Sequence, residues 1–291
     1  MRILLTGAAG QLGISLQQTL SPHTVVALSH AALSVEDTAT LKSVLRDHSI
    51  EWIINCAAFT DVKKAEQNPA QAYMINKVAL AALARCAQQS HLKVIHLSTN
   101  YVFKSRPDYF YKEYDFPQPQ NLYGASKLSG EQALLAHCPG ATVIRTSSIY
   151  SVTGHRFIHK IIAQMLKGEP FPVLANVYTQ PTAAEALAHF IAFLVDHPQS
   201  GLFHFTGKEV ISYYDYATLI YKTLATLLPN RLLGAPFAQE GSDPIRPASA
   251  LLSNEKRQAF YPDSGEDLKI QIKKVITVSY THLTLPTSDP V

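Results

Sequence analysis

The sequence alternates between short apolar runs and longer segments whose apolar residues recur at helical spacing. The apolar runs predict strands at 2–6, 24–28, 52–55, 93–98 and 141–145. The intervening segments predict helices at 11–20, 37–48, 70–89 and 123–137. Repeated strand–helix units of this length imply a parallel sheet, because parallel neighbours are joined by helical crossovers. Residues 1–150 are therefore expected to form an α/β domain with helices on both faces of a doubly wound parallel sheet.

After Tyr150 the alternation loosens. The patterns there predict helices at 155–167, 182–196 and 265–276, a helix capped by Ser212 that runs to about 227, and strands at 171–174 and 202–205. Two Pro-rich stretches, 105–120 and 234–247, are expected to be loops. We predict a smaller, partly interleaved C-terminal substrate domain over 151–277, with segments near 171–196 returning to the first domain.

Composition and charge narrow the class of protein. The chain has 291 residues, of which 47% are hydrophobic and 16% charged, and its net charge of +3 gives no argument for a nucleic-acid partner. No apolar run is long enough to predict a membrane span, and the first residues do not resemble an export leader. Three cysteines without a CxxC pair fit reduced cytoplasmic thiols. His155 and His159 are one helical turn apart but have no carboxylate nearby, so structural roles are favoured and no metal is expected.

The last segment, 278–291, has a different character from the rest of the chain. It reads VSYTHLTLPTSDPV, and its first ten residues resemble the translation of a sequencing-library transposase adapter. We therefore expect this segment to be a non-native tail and leave it out of the fold prediction.

A Gly-rich turn connects the first predicted strand to the first predicted helix. It reads Gly7-Ala-Ala-Gly10-Gln11-Leu12-Gly13. Gly7 permits a tight turn, Gly10 lets the backbone approach a diphosphate, and Gly13 allows close packing of the helix. Because the positive end of the helix follows, the turn predicts a Rossmann-type dinucleotide-binding domain in 1–150.

The residues after the second predicted strand bear on the choice of cofactor. This position reads Ser29-His30 and has no carboxylate. A carboxylate there would bind a ribose 2′-hydroxyl and repel a 2′-phosphate. Its absence favours NADP(H), with NAD(H) as the alternative, and makes Ser29 a candidate cofactor-binding residue.

Two Tyr-x-x-x-Lys spacings occur, at Tyr123–Lys127 and at Tyr73–Lys77. Position distinguishes them, because Tyr123 opens a helix after the fourth strand, where its helical face borders the strand ends. A neighbouring ammonium lowers the pKa of a phenol, which makes such a pair suitable for proton transfer. We predict that Tyr123 and Lys127 are catalytic and that the other pair is structural. Thr99, at the end of the fourth strand, can hydrogen-bond a carbonyl, although a hydroxyl there also serves as a cap.

Several motifs occur together in one order: GAAGQLG, NCAAFT at 55–60, VKKAE at 62–66, STNYVF at 98–103, YGASK at 123–127 and RTSSIY at 145–150. In this combination the chain resembles the dTDP-4-dehydrorhamnose reductase group of the extended short-chain dehydrogenase/reductase superfamily. The resemblance implies NAD(P)H-dependent reduction of the 4-keto group of a nucleotide-linked 6-deoxy sugar, with dTDP-4-dehydrorhamnose reduced to dTDP-rhamnose.

The resemblance also implies roles for individual residues. Tyr123 would donate the proton, Lys127 would orient the ribose, and Thr99 would bind the carbonyl region. Gly10, Gln11 and Leu12 would meet the diphosphate, while the nucleotide would be lined by Ala58, Phe59 and Thr60.

Two substrate-facing positions depart from the family pattern. Asn100 stands where the family usually has Asp, and Ser148 stands where it commonly has Trp. We keep Asn100 and Ser148 as candidate substrate residues. Reductase chemistry is therefore better supported than the rhamnose substrate.

Three alternatives stay open. One is a reductase or epimerase for another nucleotide sugar. Another is a non-catalytic, nucleotide-binding regulatory subunit of S-adenosylmethionine synthetase, because such a relative also carries Asn in the STN position. The third concerns the oligomeric state, for which a homodimer stays open beside a monomer.

Overall fold

A computed structural model describes residues 1–28, 38–152, 157–241, 243–262 and 267–284. The strands in these ranges are β1 (Arg2–Thr6), β2 (Thr24–Leu28), β3 (Trp52–Asn55), β4 (Lys93–Thr99), β5 (Phe110–Tyr111), β6 (Thr142–Thr146), β7 (Ile149–Tyr150), β8 (Phe171–Leu174), β9 (Tyr178–Thr179), β10 (Thr182–Ala183), β11 (Gly201–His204), β12 (Ile211–Ser212), β13 (Pro236–Gln239) and β14 (Leu251–Leu252). The helices are α1 (Gln11–Thr19), α2 (Thr38–Asp47), α3 (Val62–Gln67), α4 (Pro69–Tyr73), α5 (Leu80–Gln89), α6 (Leu122–His137), α7 (Phe157–Met165), α8 (Ala184–Asp196), α9 (Tyr213–Leu227), α10 (Glu255–Gln258) and α11 (Leu268–Thr284). A π-helical segment, Met74–Ala79, joins α4 to α5, and a 3-10 turn, Asn100–Val102, follows β4.

The central sheet has six parallel strands in the order β11-β6-β4-β3-β1-β2. The chain runs outward from β1 to β2 and then crosses back to β3 on the other side of β1. The strand order thus reverses between β1 and β3, and sheets of this kind bind ligands beyond the carboxyl ends of the strands at such a point. The Gly-rich turn follows β1 and lies there.

Helices cover both faces of the sheet because successive strand residues point to opposite sides. Ile3 and Leu5 of β1 pack in a cluster with α1 and α8, whereas Leu4 packs in a second cluster with α2, α5 and α6. All three β1 side chains have no exposed area. Strands buried on both faces have nearly continuous apolar sequences, and the expected doubly wound α/β fold is confirmed.

A third hydrophobic cluster lies outside the two faces of the sheet. Its fully buried members come from 150–276 and include Ile162 of α7, Ile220 of α9 and Ile272 of α11. Helix α8, from within the same part of the chain, instead packs against α1 in the first cluster. The division into 1–150 and 151–277 stays a prediction.

Some predicted boundaries were wrong. The predicted loop 234–247 contains β13, which pairs with β8; most β13 side chains are exposed, so the strand has no apolar pattern. The predicted loop 105–120 contains β5, which pairs with β14. The predicted helix 70–89 is interrupted by the π-helical segment, and the helix predicted at 265–276 begins at Leu268 and continues to Thr284.

Candidate functional site

A cavity of about 360 Å³ opens beyond the carboxyl ends of β1, β3, β4 and β6. Its lining includes most of the predicted site residues: Gly7, Gly10, Gln11, Leu12, Gly13, Ala58, Thr60, Thr99, Asn100, Tyr123, Lys127 and Ser148. Phe59 does not line it, and Ser29 lies outside the described residues. The structure therefore brings the Gly-rich turn and the Tyr123–Lys127 pair to one cavity.

The Gly-rich turn is held by contacts that leave no room for a side chain at two positions. Gly7 has a φ of +69°, and a Cβ there would come within 2.7 Å of the Ala57 nitrogen. A Cβ on Gly13 would come within 2.4 Å of the Gly7 carbonyl oxygen. Gly13 thus permits close packing of α1 against the turn itself, rather than against the strand.

Gly10 differs from the other two glycines, because a Cβ there would meet only the Gly7 oxygen, at 3.2 Å. The remaining space around it belongs to the cavity. Helix α1 begins at Gln11 and has no acidic residue in its first turn. The positive helix end therefore faces an open space in which a diphosphate fits.

Tyr123 and Lys127 lie one turn apart on α6, and close contacts fix where this helix begins. The Asn121 side chain caps the helix by accepting a hydrogen bond from the Gly124 nitrogen at 2.6 Å. A Cβ on Gly124 would come within 2.0 Å of the Tyr101 oxygen, so only glycine permits this approach. The rings of Tyr101 and Tyr123 consequently meet edge to face, with centroids 6.0 Å apart.

Lys127 is almost completely buried and is anchored by two contacts. Its Nζ donates to the Leu97 carbonyl at 2.6 Å and lies 3.1 Å from His96 Nε2. Burial lowers the pKa of Lys127 to about 8, although the nearby Glu131 and Cys56 act in the opposite direction. Burial also raises the pKa of the Cys56 thiol to about 12. Burial therefore makes it easier for the Lys127 ammonium to lose its proton.

Thr99 ends β4 and Asn100 begins the 3-10 turn that follows, at the floor of the cavity. The Thr99 hydroxyl accepts a hydrogen bond from the Tyr101 nitrogen at 3.2 Å, as a cap does, and its own hydrogen faces Asn100 Oδ1 at a long 3.4 Å. The Asn100 amide donates to the Ala250 carbonyl at 2.9 Å. Asn100 therefore links the cavity floor to the loop that precedes β14. An ionised Asp could not form this hydrogen bond, because its carboxylate oxygens only accept.

Two more hydroxyls lie at strand ends beside the cavity. Ser98 and Thr146 line the cavity, and both side chains are buried. Among the residues that the structure describes, neither hydroxyl has a partner. Buried hydroxyls are usually paired, so these two are suited to bind a ligand in the cavity.

The end of the cavity away from the Gly-rich turn is rich in aromatic residues. Tyr101 and Tyr213 are joined by a side-chain hydrogen bond. Burial raises the pKa of Tyr101, and the neighbouring Tyr213 raises it further. Burial also raises the pKa of Tyr216, whose hydroxyl has no partner within the described part of the chain. Ser148 is exposed here, with a φ of +38°, and its hydroxyl contacts Thr179.

Asn76 is a positioning residue that sequence reasoning missed. Its side chain accepts from the Phe59 nitrogen at 2.8 Å and donates to the Phe59 oxygen at 3.1 Å. It also donates to the Ser126 hydroxyl on α6 at 2.9 Å. Asn76 thus ties the 58–60 loop to the Tyr123–Lys127 helix. π-Helical turns occur often at functional sites, but nothing in the apolar spacing of 70–89 reveals one.

The second Tyr-x-x-x-Lys pair occupies a different environment. Tyr73 is half-buried and Lys77 is exposed. Neither residue lines the cavity.

The described ranges also bear on two other kinds of site, a membrane span and a metal centre. No helix in them has the length and apolar character needed to cross a membrane. In the same ranges, no three His, Cys, Asp or Glu side chains cluster in a way that could hold a metal ion.

Comparisons with known proteins agree with this geometry. Residues 1–280 match the family model described as RmlD substrate binding domain. The chain is 32% identical to the dTDP-4-dehydrorhamnose reductase of Salmonella typhimurium, covering 98% of this chain and 100% of that protein. It is 33% identical to the dTDP-4-keto-6-deoxy-D-glucose reductase of Streptomyces niveus, covering 87% of this chain and 89% of that protein.

A solved structure shares the same architecture. The dTDP-4-dehydrorhamnose reductase of Bacillus anthracis, in complex with NADP, superposes with a TM-score of 0.85 at 25% identity. The alignment covers 95% of this chain and 98% of that one. The predicted resemblance is confirmed, and the chain belongs to the RmlD substrate-binding-domain family.

Proposed function

We propose that the protein reduces the 4-keto group of a dTDP-linked 6-deoxy sugar, with dTDP-4-dehydrorhamnose reduced to dTDP-rhamnose. One observation carries the proposal: Tyr123 and Lys127 line the same cavity as the Gly-rich turn. The reductases of Salmonella typhimurium and Streptomyces niveus, which act on dTDP-linked sugars, support it.

Different residues of the cavity have different roles in the reaction. The first turn of α1, at Gln11 and Leu12, binds the diphosphate of the cofactor. A nicotinamide cofactor bound there would supply the hydride for the carbonyl carbon. Tyr123 donates a proton to the carbonyl oxygen, and a charged Lys127 stabilises the resulting phenolate. Thr99 can exchange its long contact with Asn100 for a hydrogen bond to the carbonyl.

NADPH is the favoured cofactor, and NADH is the alternative. The relative from Bacillus anthracis was solved in complex with NADP. The Ser29-His30 dipeptide after β2 carries no carboxylate that would repel a 2′-phosphate, although it lies outside the described residues. Ser29, Ala58, Phe59 and Thr60 stay predicted nucleotide-binding residues.

The identity of the sugar depends on the aromatic end of the cavity. Ser148 leaves this end more open than the Trp that the family commonly has there, and Asn100 is committed to the Ala250 carbonyl. These departures keep another 4-keto sugar, or an epimerase reaction on one, as the alternative substrate assignment. Asn100 and Ser148 stay predicted substrate residues.

The regulatory-subunit alternative predicts nucleotide binding without turnover. An intact Tyr123–Lys127 pair beside the Gly-rich turn supports catalysis over that reading. A homodimer and a cytoplasmic location stay predictions.

The test follows nicotinamide absorbance when the protein is mixed with NADPH and a panel of dTDP-4-keto-6-deoxy sugars. We expect oxidation of NADPH by the wild type and its loss in Tyr123→Phe. Tyr73→Phe is the matched control, because it removes the equivalent hydroxyl from the other Tyr-x-x-x-Lys pair and should leave turnover unchanged.

The outcomes separate the alternatives. Turnover of one sugar in the panel identifies the substrate. Nucleotide binding without oxidation of NADPH by any sugar would reject the reductase, and co-purification with the synthetase would then favour the regulatory subunit. Preferential binding of NADH over NADPH would reject the cofactor assignment.

A further inference from the structure

A row of buried polar side chains crosses the sheet beneath the cavity and ends at Lys127. Thr6 of β1, Asn55 of β3 and His96 of β4 are aligned in register across the three strands. Each is at most 4% exposed, and Lys127 is 2% exposed. The row lies on the face of the sheet covered by α6, and the proposed reaction assigns no role to its first three members.

Hydrogen bonds fix the orientation of the Asn55 amide. Asn55 Oδ1 accepts from the Thr6 hydroxyl at 2.5 Å and from the Ala57 nitrogen at 3.2 Å. The amide nitrogen therefore points the other way, to His96 Nδ1 at 3.0 Å. An amide nitrogen only donates, so His96 Nδ1 must accept.

This orientation determines which nitrogen of His96 carries the proton. Burial holds the pKa of His96 well below its usual range, and the charge on Lys127 lowers it further, while a hydrogen bond with the Asn55 backbone acts in the opposite direction. A neutral imidazole has a single N–H, and here that proton must be on Nε2. His96 Nε2 lies 3.1 Å from Lys127 Nζ. An ammonium has only donors to offer, whereas a neutral amine can accept this proton and still donate to Leu97.

We infer that His96, oriented by Asn55, is a positioning residue that holds Lys127 Nζ in place and favours its neutral amine over its ammonium. Charging Lys127 with the bond to His96 intact requires the imidazole proton to be on Nδ1. In that tautomer the Nδ1 proton points at the hydrogens of the Asn55 amide. Only a rotation of the amide relieves this clash, and the rotation breaks the two hydrogen bonds that the Asn55 oxygen accepts from Thr6 and Ala57. The inference rests on the proposed reductase function for its consequence, because only a charged Lys127 stabilises the Tyr123 phenolate.

Other ionisable groups surround Lys127 from each neighbouring element. Cys56 follows β3, and Tyr123 and Glu131 share α6 with Lys127. Glu131 is itself bound by the Arg145 guanidinium of β6, at 2.6 Å from Nη2, which offsets its charge. Among the contacts that the structure describes for Lys127 Nζ, His96 is the one whose tautomer can switch between donating and accepting.

The direct test is long-range ¹H–¹⁵N NMR of the histidine side chains in the full chain, without nucleotide. His96 is assigned by the signal lost in His96→Gln. We expect a neutral imidazole with its proton on Nε2. A proton on Nδ1, or on both nitrogens, at neutral pH would overturn the inference. This readout does not require turnover, so it stands even if the reductase proposal fails.

Two variants test the consequence for Lys127. Asn55→Asp offers His96 Nδ1 an acceptor, which moves the imidazole proton to Nδ1 and leaves Nε2 free to accept from an ammonium. His96→Gln can present a carbonyl oxygen to Lys127 directly. In both we expect the alkaline limit of kcat/KM for NADPH to move up by roughly one pH unit.

The matched control is His204→Gln. His204 is another buried histidine, on β11, whose Nδ1 donates to the Tyr111 carbonyl at 3.1 Å, and it does not line the cavity. This variant should leave the alkaline limit unchanged. If His96→Gln also leaves it unchanged, His96 has only a structural role. Where turnover is absent, NMR titration of Lys127 Nζ in the same variants gives the comparison.

Discussion

Replacing Gly13 by Ala should weaken both folding and nucleotide binding, because the new methyl group meets backbone. Its Cβ would lie 2.4 Å from the Gly7 oxygen and 2.7 Å from Ala8 Cα. Neither atom can rotate away, so the turn has to move. Overpacking of this kind costs about 1–3 kcal/mol, whereas the helix preference of Ala over Gly returns about 1 kcal/mol. Because both contacts are with backbone, we expect a cost in the upper part of this range, about 2–3 kcal/mol. The free energy of unfolding should then fall by about 1–2 kcal/mol, and Tm by roughly 2–8 °C.

Gly10→Ala is the matched comparison within the same turn. Gly10 has a φ of −76°, which Ala adopts freely, and its Cβ would meet only the Gly7 oxygen, at 3.2 Å. We expect the free energy of unfolding to change by less than about 1 kcal/mol. The methyl group nevertheless occupies the space beside the start of α1. NADPH affinity should therefore fall roughly tenfold, or about 1.4 kcal/mol.

The assays are thermal unfolding by circular dichroism and NADPH binding by calorimetry. A Gly13→Ala protein that melts and binds like the wild type would refute the close-packing reasoning. A Gly10→Ala protein with unchanged affinity would refute the assignment of the cavity beside α1 to the diphosphate.

Three further predictions concern buried contacts. Asn76→Ala removes both hydrogen bonds to the Phe59 backbone and should raise the KM for NADPH in steady-state assays. An unchanged KM would show that the 58–60 loop does not contribute to cofactor binding. Glu131→Gln leaves the Arg145 charge unpaired in the interior and should cost about 3–5 kcal/mol in urea unfolding. The depressed pKa of Lys127, about 8, means that the unfolded chain binds more protons above that pH. Lys127 should then contribute a rise of roughly 1 kcal/mol to the free energy of unfolding between pH 8 and 9. Cys56 opposes part of this rise, because its pKa of about 12 keeps the thiol protonated in the folded chain while the unfolded thiol, with a pKa of 9.0, begins to ionise in the same range. The difference between the wild type and Lys127→Met therefore isolates the contribution of Lys127.

The central sheet could be predicted from the sequence because its signals are local. Strands β1 and β3 are buried on both faces, which produces uninterrupted apolar runs, and a Gly-rich turn marks the end of β1. Strand β13 gave no such signal, because its side chains are mostly exposed and its partner β8 lies far away in the chain.

The site was only partly predictable, for a related reason. The spacing of Tyr123 and Lys127 is shared by Tyr73 and Lys77, and only their positions relative to β4 distinguish them. What sets the first pair apart physically is the backbone contact of Gly124 with Tyr101, which no local pattern contains. Asn76 was missed because its two partner residues, Phe59 and Ser126, lie far from it in sequence.

The two ends of the cavity are built in ways that give them different freedom to change. The end at which we propose that the cofactor binds is formed by backbone contacts of Gly7 and Gly13, where an added methyl group would displace the turn. The end at which we propose that the sugar binds is formed by side chains such as Ser148 and Tyr213, the latter packed against the third hydrophobic cluster rather than against the sheet. A substitution there alters the shape of the cavity without disturbing the Gly-rich turn or α6. A chain of this family can therefore keep its hydride-transfer chemistry while its sugar changes, and the departure at Ser148 falls at that end.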